Sequence, residues 1–160
     1  MALTGTLLLP DIAGESVRAD HEDEIDVHSI DWGISQGAKS QTGKGRSQGR
    51  AEVGALSVFK LTDASSAYLA LACMQGKSLE ECVLTVRKDS GDAHLDYLII
   101  TMTNVTISSY SMLPTAQDSL VIEERVSLTF EKVKYLYTVQ ADDHSAGDEH
   151  EIEYDIAAGV

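Results

Sequence analysis

Basic residues are scarce in this sequence, and their scarcity narrows the classes of function. Twelve Lys and Arg stand against 26 Asp and Glu, which gives a formal net charge of −14. Free binders of nucleic acid or of anionic membranes are normally basic, so we expect no nucleic-acid partner. No apolar run approaches the roughly 20 residues that cross a bilayer, so we expect no membrane insertion. No basic residue precedes the short N-terminal apolar run, so we expect no classical secretory signal.

Cysteine is also scarce, and the metal-binding residue types are scattered. Cys73 and Cys82 lie in apolar contexts, which favours two reduced, buried thiols. His144 and His150 are six residues apart, which matches no usual zinc spacing, and the acids around them lack the ligand period of a calcium loop. Four of the five histidines lie among acids or in predicted turns, where a solvated surface histidine is expected. We therefore predict no metal site and no cofactor.

Motifs of catalysis are absent as well. The sequence has many serines but no Gly-x-Ser-x-Gly elbow, and no Gly-x-x-x-x-Gly-Lys phosphate loop. The sequence shows no arrangement in which a histidine would act as the general base for a serine nucleophile. We expect that the protein is not an enzyme, and a serine hydrolase is kept only as an alternative.

What the sequence does have is two long β-rich runs, residues 95–110 and 119–140, joined by a loop with Pro114. They are dense in Val, Ile, Thr, Tyr and Phe, as strands are. In the second run the apolar face first comprises Leu120, Ile122, Val126, Leu128 and Phe130, and then Val133, Tyr135, Tyr137 and Val139. A strand exchanges its buried face only at a bulge or between packing environments, as in curved or closed sheets. The pattern predicts a mainly β protein, a barrel or a tight sandwich.

The remaining elements fit one domain over residues 1–160. Strands are predicted in residues 5–10, 24–36 and 51–61, a hairpin in 79–112, an extended basic loop in 37–50, and an acidic tail with a closing strand in 141–160. A helix is predicted from an Asp63 N-cap to a Gly76 stop. Its sequence AYLALACMQ is apolar on nearly every side, so it requires cover on more than one face. One cover is the sheet, and the other is a further element or another subunit.

Charge is segregated along the chain. Residues 11–31 hold eight acids against Arg18 alone, whereas residues 37–50 hold four bases and no acid. Both segments are explained simply as solvated faces. The alternative is a head-to-tail contact, in which the basic loop of one copy meets the acidic rim of another and so builds rings or filaments.

Several blocks, in this order, resemble the hemolysin-coregulated protein (Hcp) family, the tube-forming component of type VI secretion systems. The resemblance covers nearly the whole chain. Its blocks are Gly14-Glu15-Ser16, HEDEIDV before Trp32-Gly33, FKLTDASS, LTVRK, YLIITMTNVTISSYS and ERVSLTFEKVKYLYTVQ.

This resemblance implies a two-sheet β-barrel with one short α-helix on its side, similar to phage tail tube proteins. It also implies homohexameric rings that stack into a hollow tube. The tube would be capped by a spike protein, carry small effector proteins in its lumen, and be expelled when a contractile sheath contracts. The protein would be cytoplasmic before firing and then secreted by a signal-peptide-independent route. The chain ends near the end of the family core, so we expect no further toxin domain.

The resemblance also assigns residues to surfaces. Asp31 and Ser29 are expected to contact the lumen or an effector, and Tyr68, Leu69, Leu71 and Ala72 to form an inter-protomer helix face. Lys39, Lys44, Arg46 and Arg50 are expected in ring stacking, in a loop that is more basic than in many relatives. At the position of Asp31 relatives often carry a small polar residue. In this chain the six copies of Asp31 would form a ring of carboxylates, which would disfavour acidic cargo. The alternative to a tube subunit is a monomeric ligand-binding β-barrel.

Overall fold

The structure is a computed structural model that describes residues 3–38, 48–91 and 93–160. Within these residues the chain forms eleven strands and one helix. In chain order they are β1 Thr4–Leu8, β2 Ile25–Val27, β3 Ser29–Asp31, β4 Ile34–Ala38, β5 Gln48–Val53, β6 Leu56–Leu61, α1 Ser66–Gln75, β7 Ser78–Ser90, β8 Ala93–Met112, β9 Glu123–Thr129, β10 Lys132–Gln140 and β11 Ala146–Asp155.

Nine strands form one antiparallel sheet, and β4 and β5 form a second sheet of two strands. The larger sheet runs β2-β1-β7-β8-β9-β6-β3, while β10 pairs with β8 and β11. The prediction of a mainly β fold with two sheets and one short helix is confirmed. The larger sheet, however, is not a closed barrel, because its end strands β2 and β3 pair with β1 and β6 and not with each other in the described ladders.

The two ends of the larger sheet are nevertheless halves of one segment. β2 and β3 are separated only by His28, whose backbone N–H donates to the carbonyl of Phe59 at 3.0 Å. The segment pairs with β1 through its first half and with β6 through its second half. The two ends of the larger sheet are therefore connected by the backbone of residues 25–31, whereas a closed barrel would connect them by a further ladder of hydrogen bonds.

Strand β8 explains the exchange of buried face predicted after Phe130. Its residues 106–112 pair with β9, and its residues 98–103 pair with β10. Between these two stretches Asn104 has a left-handed backbone, with φ 53°, and its side-chain amide donates to Glu131 at 2.9 Å. The second run thus breaks at residues 130–131 and passes to a new neighbour, as the pattern predicts.

The start of the second run was predicted wrongly. β9 begins at Glu123, so Leu120 and Ile122 lie in the preceding loop, and Leu120 is 100% exposed. The pairing of β9 with β6 ends at Leu61 opposite Glu123, and residues before Glu123 have no strand opposite them in that ladder. Residues 24–36 and 51–61, each predicted as one strand, likewise contain three and two short strands.

The helix also differs from its prediction at one end. It begins at Ser66, after a Ser65 N-cap, and Asp63 accepts the Ser65 N–H at 2.9 Å in the turn before it. Asp63 is therefore not the helix cap. Gly76 ends the helix with φ 59°, as predicted. The hairpin of β7 and β8 is also confirmed.

An apolar core built from described residues lies beneath the helix. Leu69 and Ala72 of the helix pack into a cluster built from both halves of the larger sheet, which includes Leu56, Val58, Leu84, Met102, Val126 and Leu128. Each fully buried side chain of this size contributes roughly 1.5–3 kcal/mol to folding. The core therefore fixes which helix face remains outside.

Candidate self-association surfaces

The first turn of the helix is fixed to the sheet by a buried ion pair. Lys60 Nζ lies 2.9 Å from Glu124 Oε1, and both side chains are 0% exposed. The ammonium also lies 3.0 Å from an oxygen of Asp63 and donates to Ser66 Oγ at 3.1 Å. Lys60 comes from β6 and Glu124 from β9, so the pair joins two strands to the start of the helix.

Glu124 accepts from three neutral donors in addition to Lys60. The hydroxyls of Ser66 and Thr62 lie 2.9 Å from it, and that of Tyr110 lies 2.7 Å from it. Burial favours the neutral acid, but these donors outweigh burial and hold the pKa of Glu124 below its usual range. Burial, with the neighbouring carboxylate, raises the pKa of Tyr110 to about 12. The acid is therefore ionised and the phenol protonated at neutral pH.

Sequence reasoning missed this network, although a signal for it was present. Glu124 occupies an inward position in the alternation of Val126 and Leu128, and Lys60 does so in that of Leu56 and Val58. An acid and a base at inward positions of two strands indicate a buried pair, because an unpaired buried charge is very costly.

The outer face of the helix is apolar and faces solvent. Tyr68, Leu71 and Met74 are 59%, 48% and 82% exposed, at a spacing of three residues. We call these three residues the helix patch. Leu69 and Ala72 were predicted to face another protomer, but they are 0% and 3% exposed and pack into the core of their own chain. Of the four residues predicted to face another protomer, Tyr68 and Leu71 are exposed, and their contact stays a prediction.

Ser29 and Asp31 lie exposed on the outward face of β3. The Asp31 carboxylate lies 3.8 Å from Arg125 Nη2, and the Arg125 guanidinium lies 5.7 Å from the ring centre of Phe59. Next to them the hydroxyls of Ser57 and Ser127 are 2.8 Å apart. Asp31 is thus part of a polar face that also carries the cation of Arg125.

Residues 11–24, between β1 and β2, form a segment that we call the acidic loop. Gly14 N–H donates to the carbonyl of Asp23 at 2.8 Å, and Ser16 N–H donates to that of Glu24 at 3.0 Å. A Cβ on Gly14 would lie 2.5 Å from the carbonyl oxygen of Glu24, so a larger residue would push the two halves apart. The loop is therefore a closed structure rather than a loose connection.

His21 holds the acidic loop against the hairpin of β7 and β8. Its Nδ1 lies 2.7 Å from Glu24 and its Nε2 lies 2.8 Å from Asp96. Arg87 Nε donates to the other oxygen of Asp96 at 2.7 Å. The His21 side chain is 13% exposed, so the expectation of a solvated surface histidine is wrong for this residue.

Most of the predicted basic loop lies outside the residues that the structure describes. Lys39, Lys44 and Arg46 lie outside the described residues, and Arg50 lies in β5 with a side chain that the structure does not describe. Residues 37–38 and 48–50 belong to β4 and β5, so the ends of the predicted loop are strand.

Within the described ranges the two cysteines form no disulfide, and the metal-binding residue types form no cluster for an ion. Cys73 and Cys82 are free, and burial raises the pKa of Cys82 to about 12, which keeps it a thiol. Across residues 3–38, 48–91 and 93–160 there is no cluster of three or more His, Cys, Asp or Glu that could hold a metal ion. Within the same ranges, no helix has the length and apolar character needed to span a membrane.

Fold and surfaces together define a mainly β protein with one helix laid across its sheet and the apolar outer face of that helix open to contact. The chain belongs to the family described as type VI secretion system effector, Hcp, whose sequence model matches residues 1–137.

Similarity to individual relatives extends over most of the chain. The chain is 35% identical to protein hcp1 of Pseudomonas aeruginosa over 143 residues, which cover 89% of this chain and 88% of that protein. The crystal structure of Hcp1 from Salmonella typhimurium is similar with a TM-score of 0.80 and 30% identity, over 99% of this chain and 97% of that one. A structure of a type six secretion system protein shares the fold with a TM-score of 0.90 at 24% identity, over 99% and 98% of the two chains.

Proposed function

We propose that this chain is the structural subunit of a type VI secretion tube, built from stacked homohexameric rings. The family membership supports a role in type VI secretion, and the helix patch is the observation that supports self-assembly. Three large apolar side chains lie outermost on a chain of net charge −14, on the face of the helix opposite its anchor. An exposed apolar patch of this kind marks an interaction site, and contact with another copy would remove it from water.

Contact at the helix patch would close the ring. From the exposures of Tyr68, Leu71 and Met74, complete cover of the three side chains would contribute about 3–6 kcal/mol per interface. A hexamer carries six times −14, a formal charge of −84, so apolar contacts have to offset like-charge repulsion. The buried Lys60–Glu124 pair would keep the helix at the angle that the ring requires.

Stacking of rings would use charge of opposite sign. The acidic loop presents Asp20, Glu22 and Asp23 to solvent. We propose that these acids meet Lys39, Lys44, Arg46 and Arg50 of a copy in the next ring. Complementary charge of this kind sets register and encounter rate more than affinity.

The polar face around Ser29 and Asp31 would line the lumen and contact effectors. Because Arg125 accompanies each Asp31, a ring would present alternating acids and bases at this height. Small effector proteins would then be held by mixed polar contacts. The tube would carry a spike protein at its tip, lie within a contractile sheath, and leave the cytoplasm without a signal peptide when the sheath contracts. Its role would be structural and not catalytic.

Size-exclusion chromatography with light scattering, followed by electron microscopy of the purified protein, tests this function. We expect a hexamer and rings with a central hole. Met74→Asp should yield protomers, because it places a charge in the helix patch. Val160→Asp is the matched control, since Val160 is 81% exposed against 82% for Met74 and the charge change is the same. A wild-type monomer at high concentration would refute the tube and favour the alternative of a monomeric ligand-binding protein.

A further inference from the structure

The His21 ring contacts two carboxylates at once. Its two ring nitrogens lie 2.7 and 2.8 Å from oxygens of Glu24 and Asp96. Glu24 belongs to the acidic loop, whereas Asp96 lies on β8, so one imidazole connects two elements far apart in sequence. Both partners are largely shielded, with side chains 10% and 29% exposed.

This geometry depends on a proton. An ionised carboxylate only accepts hydrogen bonds, and both imidazole nitrogens donate only when the ring is protonated. A neutral ring has one N–H and one lone pair, and the lone pair would face a carboxylate at hydrogen-bond distance. One of the two contacts is then lost, and a shielded carboxylate is left without its donor.

The surrounding charges favour the protonated ring. Burial alone would lower the pKa of His21, but hydrogen bonds to Asp96 and Glu24 outweigh burial and raise it above its usual value of 6.5. Arg87, on β7, pairs with the far oxygen of Asp96, while the backbone N–H of His21 donates to the backbone carbonyl of Arg18 at 3.0 Å. Further charged groups near this cluster, among the described residues, include Asp20 and Asp89, which act on Arg87, and Asp26, which pairs with the Arg18 side chain at 3.7 Å.

We propose that His21 is a proton-dependent latch, which holds the acidic loop on the β7–β8 hairpin when the ring is charged and releases it when the proton leaves. Because the folded pKa lies above the usual one, the latch contributes its full stability below pH 6.5 and loses it as pH rises through the folded value. The consequence for stacking rests on the proposed function: a released loop no longer presents its acids in fixed positions to the next ring.

Two measurements on the full-length protein test the latch itself. In the first, the ring signals of His21 and His94 are titrated by NMR; His94 is the control, since it contacts one carboxylate, Asp89, and is 46% exposed. In the second, trypsin cleavage after Arg18 is compared at about pH 6 and about pH 8, on either side of an ordinary histidine pKa. The rate is divided by that of a free peptide of the same local sequence, which removes the pH dependence of the protease.

We expect His21 to titrate above 6.5 and relative cleavage after Arg18 to rise with pH. Each unit by which the folded pKa exceeds the unfolded one corresponds to about a tenfold change in the ratio of latched to released loop. In His21→Gln the relative cleavage should be high and the same at both pH values, whereas His94→Gln should follow the wild type. Glu24→Gln keeps the side-chain shape and should lower the His21 pKa, which tests the latch even where His21→Gln fails to fold.

The latch is overturned if His21 titrates at or below 6.5, or if His21→Gln retains the wild-type pH dependence of cleavage. Tube length by electron microscopy at the same two pH values tests the consequence, and wild-type tubes should be longer at the lower pH. Absence of rings at either pH would overturn the tube function and leave the cleavage result intact. Long tubes with a pH-independent loop would overturn the latch alone.

Discussion

Glu124→Leu tests whether the buried network holds the helix in place. The substitution removes the acceptor of Lys60, Ser66, Thr62 and Tyr110 from a site with 0% exposure. Leucine is similar in volume, so lost hydrogen bonds and an altered charge balance dominate the effect. Lys60 retains Asp63 at 3.0 Å, but three hydroxyls are left without this acceptor.

Breaking a buried ion pair costs roughly 3–5 kcal/mol, and we expect this variant, which also loses the hydroxyl contacts, to fall within that range. A loss of about 4 kcal/mol should lower the melting temperature by roughly 8–16 °C in a chain of this size. Lys60→Met should cost less, because Glu124 keeps its three neutral donors. The double variant should lose less than the two single losses combined, since neither charge is then left unpaired.

Urea unfolding in the Met74→Asp background gives the free energies, because that variant is expected to remain a protomer and assembly then adds nothing to stability. Glu123→Leu is the matched control: it lies next in sequence, is 42% exposed and pairs with His28 at 3.2 Å. It should change stability by less than about 1 kcal/mol. A Glu124→Leu loss no larger than that of Glu123→Leu would refute the network as the anchor of the helix.

Further predictions concern salt, cargo, the acidic loop and acid pH. Added salt should favour ring closure by screening the −84 charge of a hexamer and should shorten tubes if stacking joins opposite charges; light scattering and microscopy measure the two separately. Asp31→Ser should strengthen binding of an acidic cargo and weaken that of a basic one, and equal affinities for wild type and variant would contradict a lumen role. Gly14→Ala should destabilise the fold by about 1–3 kcal/mol in thermal melts, because its Cβ meets the Glu24 carbonyl at 2.5 Å. Because Glu124 has a lowered pKa, its contribution is complete above pH 4.5 and lost as pH falls through the folded value, so Glu124→Gln should flatten the acid limb of a stability–pH curve.

How far the sequence predicts the fold depends on whether a signal is local. Three features were predicted correctly: the helix stop at Gly76, the β7–β8 hairpin and the exchange of buried face near Phe130. Each depends on turn residues or on period-two alternation, which are properties of neighbouring residues. Leu120 and Ile122 continue the same alternation but lie outside the strand, because the strand ends where its partner β6 ends. Strand length is decided by the neighbour, which the local pattern does not contain.

The same distinction holds for the surfaces. Burial of Leu69 and Ala72 and exposure of Tyr68 and Leu71 depend on which side of the helix meets the sheet. A helix that is apolar all round gives no indication of this. His21 lies 75 residues from Asp96, and Arg125 lies on β9 while Asp31 lies on β3. Only the sheet topology brings such pairs together.

The two halves of residues 25–31 protect two strands at once. If this short segment detaches, β1 and β6 both become bare edges, and their free N–H and C=O groups would recruit strands from other chains. Aggregation during synthesis or after mild heating should therefore begin at this segment, and a chaperone that shields it would protect the nascent subunit more than one bound to the helix.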